Sequence, residues 1–502
     1  MLKVVKVMLV LAAVMGIALA QDGEIVVAQR VDVPTFDVHQ HSTTAVEAVL
    51  TNLFDYLIFR DVEGVLQPAL ATSWESIDTT SWRIVLREGV TWHDGEAFDA
   101  EDVKYTLERV ANDVELALQG EFETIASVDI VSDVEVIIRT AEPDPLMLSR
   151  LSRLGASMLP EHYIREVGIE EFSVNPIGTG PYQFVEWIRD DRVVLEAYAD
   201  HWRGAPAYER VVFRAIPEDS TRVSELISGG VDIAMGVPAI DVPRIESAGG
   251  IEILPTPTPR VYLFLVNTGE DSVMSDPLIR EAVDYAIDEQ IIIDTLFGGF
   301  GTPTLGRVTP GINAAPLELY GQSNADPERA RELLAEAGYG SGELTIKLQG
   351  PTGRYPQDAE MVEVIAVLLE DVGINTEVEI LEWSAYLDQI WSPREIVDMG
   401  FIAVANSMFD GWHAQRQIVC EGSWSASTNW CHERFTELVN GAAVELDLDM
   451  RAEMLSEAYY IVAEERPMIF MHQLQNLAGI ASDVSWTPRP DELLWMFDAQ
   501  PQ

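Results

Sequence analysis

Cysteine is almost missing from this chain of 502 residues: only Cys420 and Cys431 occur. Two cysteines so close together, in a chain that begins like an exported one, predict a disulfide, which would contribute about 2–3 kcal/mol by closing a short loop. The alternative, a thiolate metal site, lacks a C-x-x-C spacing and has only His413 and His432 nearby. Lysine is nearly as scarce, with Lys3, Lys6, Lys104 and Lys347 as the full set. Lys+Arg totals 32 against 83 Asp+Glu, for a net charge of −51. Such a surface repels nucleic acid and anionic lipid, so neither is an expected partner. Two readings of the acidity remain: attraction of cationic ligands, or a hydrated surface that keeps a protein soluble in salt. The even spread of the acids along the chain favours the second.

Long apolar runs are missing beyond the first twenty residues. Residues 1–20 carry Lys3 and Lys6, an apolar core over 7–19 and an A-x-A site at 18–20. They are expected to be a cleavable signal peptide, with the mature chain starting at Gln21. The core is too short and wrongly flanked for a stable membrane span. No cysteine lies at the cut to take a lipid, so the expected product is exported, periplasmic and not lipid-anchored. Internal repeats, low-complexity tracts and long linkers are absent too. So are a G-x-S-x-G elbow, an H-E-x-x-H pair and a phosphate-binding loop. An exported hydrolase remains a competing reading, because paired carboxylates are not excluded among 83 acids.

What is present alternates between strand and helix. Residues 82–87, 134–139 and 192–196 show period-two patterning. Asp99, Asp276 and Asp326 each start a helix, the last two followed by proline; Gly338 stops the third. The predicted inward faces are Val103, Leu107 and Val110; Ile279, Val283 and Ile287; and Ala330, Leu333, Leu334 and Ala337. The fold class is α/β. The strongest internal boundary is 255–259 (PTPTP), an extended, stiff crossing between lobes, followed by a buried strand over 260–266.

Four motifs in order carry a resemblance. Residues 82–104 (WRIVLREGVTWHDGEAFDAEDVK), 175–182 (NPIGTGPY), 280–288 (REAVDYAID) and 326–339 (DPERARELLAEAGY) resemble, in that order, four signatures of the family 5 solute-binding proteins of ABC importers. These include dipeptide-, oligopeptide- and nickel-binding proteins. The resemblance implies a two-lobe periplasmic binding protein fold of the large cluster C type. Lobe I would hold 22–258 plus 476–502, with an extra subdomain at 43–172, and lobe II 259–475. Ligand would bind between the lobes, with hinge closure burying it. No chemistry, cofactor or metal is implied. The expected partners are a small solute, foremost a di- or oligopeptide, and an inner-membrane permease with its ATPases; the protein is expected to be a monomer. An oligosaccharide, an opine or a nickel chelate on the same scaffold is the alternative ligand.

A peptide needs an acid for its ammonium and an arginine for its carboxylate. Asp410, in 406–412 (NSMFDGW) ahead of the cysteine pair, matches the segment where the family's dipeptide binders carry their amine-binding Asp. The family's usual Asp-Pro-Asp is not present there. Arg354, in the loop 350–356 (GPTGRYP), is the expected carboxylate partner, its planar fork suiting bidentate recognition, with Tyr355 beside it. Trp412, Phe409 and Trp383 are candidates for an aromatic wall, Trp383 also fitting a core position beside Tyr386 and Leu387. Residues 178–182 (GTGPY) read as an architectural turn. His93 looks catalytic in isolation but sits inside a structural signature. The pair His39 and His41 reads as solvated or capping rather than metal-binding, with His413 the better contact for a chelate.

Overall fold

The computed structural model describes residues 23–502 apart from 42, 63 and 392–395. The expected signal segment lies outside the described residues. None of the described helices is long and apolar enough to cross a membrane.

An eleven-stranded mixed sheet runs through the described chain. From one edge its strands are Ile374–Glu382, Leu344–Thr352, Met399–Ala405, Ile251–Val266, Met468–Ala481, Ile233–Met235, Glu24–Gln29, Arg210–Ala215, Arg192–Ala197 and Tyr182–Ile188; Gly301–Pro303 pairs on Met468–Ala481. A separate four-stranded antiparallel sheet is built from Ala71–Asp78, Ser81–Leu86, Glu135–Thr140 and Ile125–Ser132. The predicted strands and the three Asp-capped helices fall at Ser81–Leu86, Glu135–Thr140, Arg192–Ala197, Ala100–Asn112, Pro277–Ala286 and Pro327–Glu336. The capping carboxylates take the backbone N–H of Glu101, Leu278 and Arg329 at 2.8, 2.9 and 3.0 Å.

Two long antiparallel strands, Ile251–Val266 and Met468–Ala481, form the ribbon that joins the halves. Their register runs unbroken from Ile251–Ala481 to Pro257–Gln475, shifts, and resumes at Val261–Gln473. Pro255, Pro257 and Pro259 occupy alternate positions, so their missing donors lie on one edge. Before Arg260 the strand has a partner on one edge only. Thr258 bridges the register shift, its hydroxyl donating to the Leu474 carbonyl at 2.9 Å and its carbonyl accepting from Gln473 Nε2 at 2.6 Å. Buried apolar side chains separate on either side of this ribbon. One cluster gathers residues from Ile25 to Phe213, Ile233 and from Ala478 to Ala499; another gathers Val261 to Leu474. The four-stranded sheet shares the first cluster through Ile84, Val128, Val136 and Ile138.

The four sequence motifs lock to one another in pairs. His93 Nδ1 accepts from Gly178 N at 3.1 Å, its Nε2 lies 2.9 Å from the Gly180 carbonyl, and its backbone N–H donates to the Gly178 carbonyl at 2.9 Å. With both ring nitrogens engaged and burial pulling its pKa down to about 4, His93 is a neutral brace. Likewise Asp326 N donates to Tyr285 O at 2.8 Å, and buried Arg280 donates to the carbonyls of Met274, Ser275 and Glu465. The cysteines form the expected disulfide, Cys420–Cys431.

Glu289, at the start of the helix Glu289–Phe297, is fully buried. Its Oε2 accepts from the Ser323 hydroxyl and its Oε1 has no partner among the described residues. Burial raises its pKa from 4.5 to about 8. Between those values the folded state holds a proton that the unfolded state releases, so stability falls as pH rises across that window. Glu289→Gln is therefore expected to raise Tm more at pH 8 than at pH 5. Equal shifts at the two pH values in thermal melts would show that this carboxyl does not titrate as described.

Candidate functional site

The carboxyl ends of the sheet strands converge on the ribbon. Gln29 and Arg30 end one parallel strand, Met235 and Gly236 another; Thr352 and Arg354 follow the strand Leu344–Thr352, and Ala405 ends Met399–Ala405. In open α/β sheets this is where a ligand crevice forms. Here it holds two chambers of about 560 and 360 Å³. Arg30, Gly236, Arg354, Tyr355 and Asn476 line both. Thr44, Ala45 and Ala48, on the helix Thr44–Leu50, wall the larger chamber from the first half, and Trp383, Leu387 and Ile402 wall it from the second.

Arg354 leaves the strand through Gly353, whose φ of 82° turns the chain. The Asp358 carboxylate accepts the N–H groups of Gly353, Arg354, Tyr355 and Ala359 at 2.8–3.2 Å, which fixes the loop. The Arg354 guanidinium lies 5.1 Å from the Tyr355 ring and 5.6 Å from that of Trp383. It has no ion pair or side-chain hydrogen bond among the described residues. Tyr355 and Trp383 meet edge to face at 5.6 Å. Three of the expected site residues, Arg354, Tyr355 and Trp383, are thus brought together in the cleft.

The other three are not. Asp410 is 3% exposed and lines neither chamber. Its two oxygens meet Arg451 Nη1 and Nη2, both at 2.7 Å, and Oδ1 also caps the helix Gly411–Gln415 by accepting from Trp412 N at 2.9 Å. This corrects the expectation that Asp410 faces a ligand ammonium: its charge is neutralised by an arginine from the helix Leu448–Glu465. Phe409, at φ 53°, turns its ring toward Arg60, 5.2 Å away, and lines neither chamber but a separate pocket of about 330 Å³ beside Pro257, Thr258 and Pro259. Trp412 packs under Arg416 at 5.4 Å and lines neither chamber. His413 is buried against Asn406 Oδ1 at 3.2 Å, not in the cleft. The solvated reading of His39 and His41 is also overturned, since both are buried. His39 contacts Gly155 O and Arg109, and burial lowers its pKa to about 3. Among the described residues no group of three or more metal-ligating side chains is assembled.

Residues that sequence reasoning missed complete the cleft. Arg30 pairs with Asp219 at 2.7 Å. Arg222, 1% exposed, also donates to Asp219, and its other donors reach the carbonyls of Ile216, Pro217, Met235 and Gly236. All five of its donors are engaged, so it braces the strand end instead of contacting a ligand. Arg260, from the ribbon, lies 3.6 Å from Glu492 across the two halves. Glu492 holds φ 65°, strained for a non-glycine residue, where it lines the larger chamber. The available signal for Arg30 was its place just after the first strand of an α/β sheet.

A cleft at strand ends, walled from two halves and spanned by a two-strand ribbon, defines a bilobal binding protein, a fold in which ligand is held between lobes. The model of the bacterial extracellular solute-binding proteins, family 5, matches residues 65–423, and the chain belongs to that family. Glutathione-binding protein GsiB of Salmonella paratyphi A is 27% identical over 465 residues, which cover 89% of this chain and 88% of that protein. The structure of NikA from Brucella suis in complex with Fe(III)-EDTA aligns with a TM-score of 0.85 at 21% identity, covering 95% of this chain and 100% of that one. A dipeptide binding protein from Pseudoalteromonas sp. SM9913 in complex with Met-Leu aligns with a TM-score of 0.79 at 23% identity, again over 95% and 100%. The chain is an extracytoplasmic substrate-binding component of an ABC importer and is not an enzyme.

Proposed function

We propose that the protein captures a di- or oligopeptide between its lobes in the periplasm and delivers it, as a monomer, to an ABC permease. Export would proceed through residues 1–20. The observation that carries the peptide reading is Arg354: a guanidinium without an acid partner among the described residues, on a loop fixed by Asp358, beside Tyr355 and Trp383. Its fork would hold a peptide carboxylate, and the two rings would pack on the adjoining backbone. The lobe I helix Thr44–Leu50 forms the opposing wall. Domain closure would then present both lobes to the permease.

The test is a thermal-shift screen of the mature protein against dipeptides, longer peptides, oligosaccharides and nickel chelates. A ligand at a hundredfold over its Kd adds about 2.7 kcal/mol to stability. Peptides are expected to raise Tm, and Arg354→Gln is expected to weaken that peptide by roughly 10–100-fold, as loss of a charge-assisted pair implies. A sugar or chelate that raises Tm while every peptide is silent would discard this reading.

A further inference from the structure

The larger chamber's lining runs opposite in charge to the molecule as a whole. Acids outnumber bases 83 to 32 over the chain. Yet among the described residues the larger chamber is lined by Arg30, Arg222, Arg260 and Arg354 against one carboxylate, Glu492. Glu492 is already paired with Arg260. The smaller chamber adds Asp219, Asp358 and Glu360. Asp219 is shared between Arg30 and Arg222, and Asp358 is closed by four backbone N–H groups. Among the described residues of the two linings only Glu360, exposed on the helix after Arg354, has no such engagement. Two guanidinium groups therefore lack a carboxylate of their own among the described residues: Arg354, which makes no ion pair, and one of Arg30 and Arg222, which share Asp219.

These two charges come from opposite lobes, and both chambers touch Arg30 and Arg354. An ordinary zwitterionic peptide fits this arrangement poorly. It brings one carboxylate for two surplus cations, and an ammonium whose expected partner, Asp410, is sealed by Arg451. Desolvating an unpaired ammonium or leaving a guanidinium unpaired on closure is costly.

We propose that the ligand is an anionic peptide or peptide-like acid that carries at least one anionic group besides its terminal carboxylate. One group pairs with Arg354 and another with Arg30, so that ion pairs from both lobes hold the closed form. This rests on the interlobe capture reading above and narrows its substrate class. A free α-ammonium contributes little to recognition.

Calorimetric titration of the mature full chain with four peptides, Ala-Ala, Lys-Lys, Glu-Glu and N-acetyl-Glu-Glu, and with glutarate and an uncharged oligosaccharide beside them, decides it. Glu-Glu is expected to bind at least tenfold more tightly than Ala-Ala, and Lys-Lys not measurably. Acetylation is expected to change the Glu-Glu affinity less than threefold. Arg30→Gln, at a half-exposed position, is expected to weaken Glu-Glu at least tenfold more than it weakens Ala-Ala, erasing the preference between them. Ala-Ala binding as tightly as Glu-Glu, or a tenfold loss on acetylation, overturns the charge inference and leaves peptide capture standing. Glutarate binding with all four peptides silent upholds the charge inference and removes the peptide reading. An uncharged oligosaccharide binding with every anion silent removes both.

Discussion

Arg451→Met is expected to cost about 3–5 kcal/mol of stability, because it strands the buried Asp410 carboxylate without its counter-charge. The pair is bidentate at 2.7 Å, and both residues are almost wholly buried, at 3% and 4% exposure. Arg451 also donates to the Ala442 carbonyl at 2.9 Å, so its removal leaves that acceptor unmet as well. The double variant Asp410→Asn/Arg451→Met is expected to lose less than Arg451→Met alone. The amide keeps an oxygen for the Trp412 N–H and carries no charge to strand. Urea denaturation of the three proteins at pH 7 measures this. A loss below about 1 kcal/mol for the single variant would mean that water reaches Asp410. Asp410→Asn alone separates structure from recognition: ligand affinity is expected to hold within a few-fold, whereas an ammonium-binding Asp would lose most of it.

The contrast between Asp410 and Arg354 marks how far the sequence carries. Local rules decided the elements: three Asp caps, two Asp-Pro starts and the prolines of the ribbon all sit where their backbone chemistry demands. Arg354 and Tyr355 follow the strand Leu344–Thr352 and Trp383 follows its parallel neighbour Ile374–Glu382, and the register that sets Thr352 against Glu382 brings the three together. The architectural reading of His93 and the 178–182 turn was legible because both lie inside the motifs that carry the family resemblance, and the two motifs bond to each other. Asp410 was not legible, because its fate depends on Arg451, 41 residues later and on another helix. Nothing in the local pattern separates a carboxylate sealed by a distant arginine from one open to a ligand. Glu492 was invisible on the same ground, since it reaches the cleft only when the two ends of the chain are brought to one place; Arg30 carried only the signal of following the first strand.

Gly178→Ala is expected to be the most damaging single methyl in the first lobe. An added Cβ would stand 1.8 Å from the Leu53 carbonyl oxygen and 2.8 Å from its carbon, against backbone that cannot rotate away. Overpacking of this kind costs typically 1–3 kcal/mol and occasionally more; with backbone on both sides, about 3 kcal/mol is expected. Gly120→Ala is the control. It meets nothing within 4 Å, lies in the short helix Gln119–Phe122, and is expected to be neutral or to stabilise by up to about 1 kcal/mol. The damage at 178 should also reach the ligand. Leu53 O accepts from Gly180 N at 2.9 Å and Asn52 O accepts from Tyr182 N at 3.0 Å, so the turn holds the chain just after the helix Thr44–Leu50. Asn52 in turn donates to Leu494 O at 2.8 Å and accepts from Met496 N at 2.9 Å. Thr44, Ala48 and Leu494 all line the larger chamber. Pushing Leu53 outward therefore shifts one wall of the cleft, and Gly178→Ala is expected to weaken ligand binding even at temperatures where it remains folded. If urea denaturation shows the stability loss while titration finds affinity unchanged, the turn supports the lobe without positioning that wall.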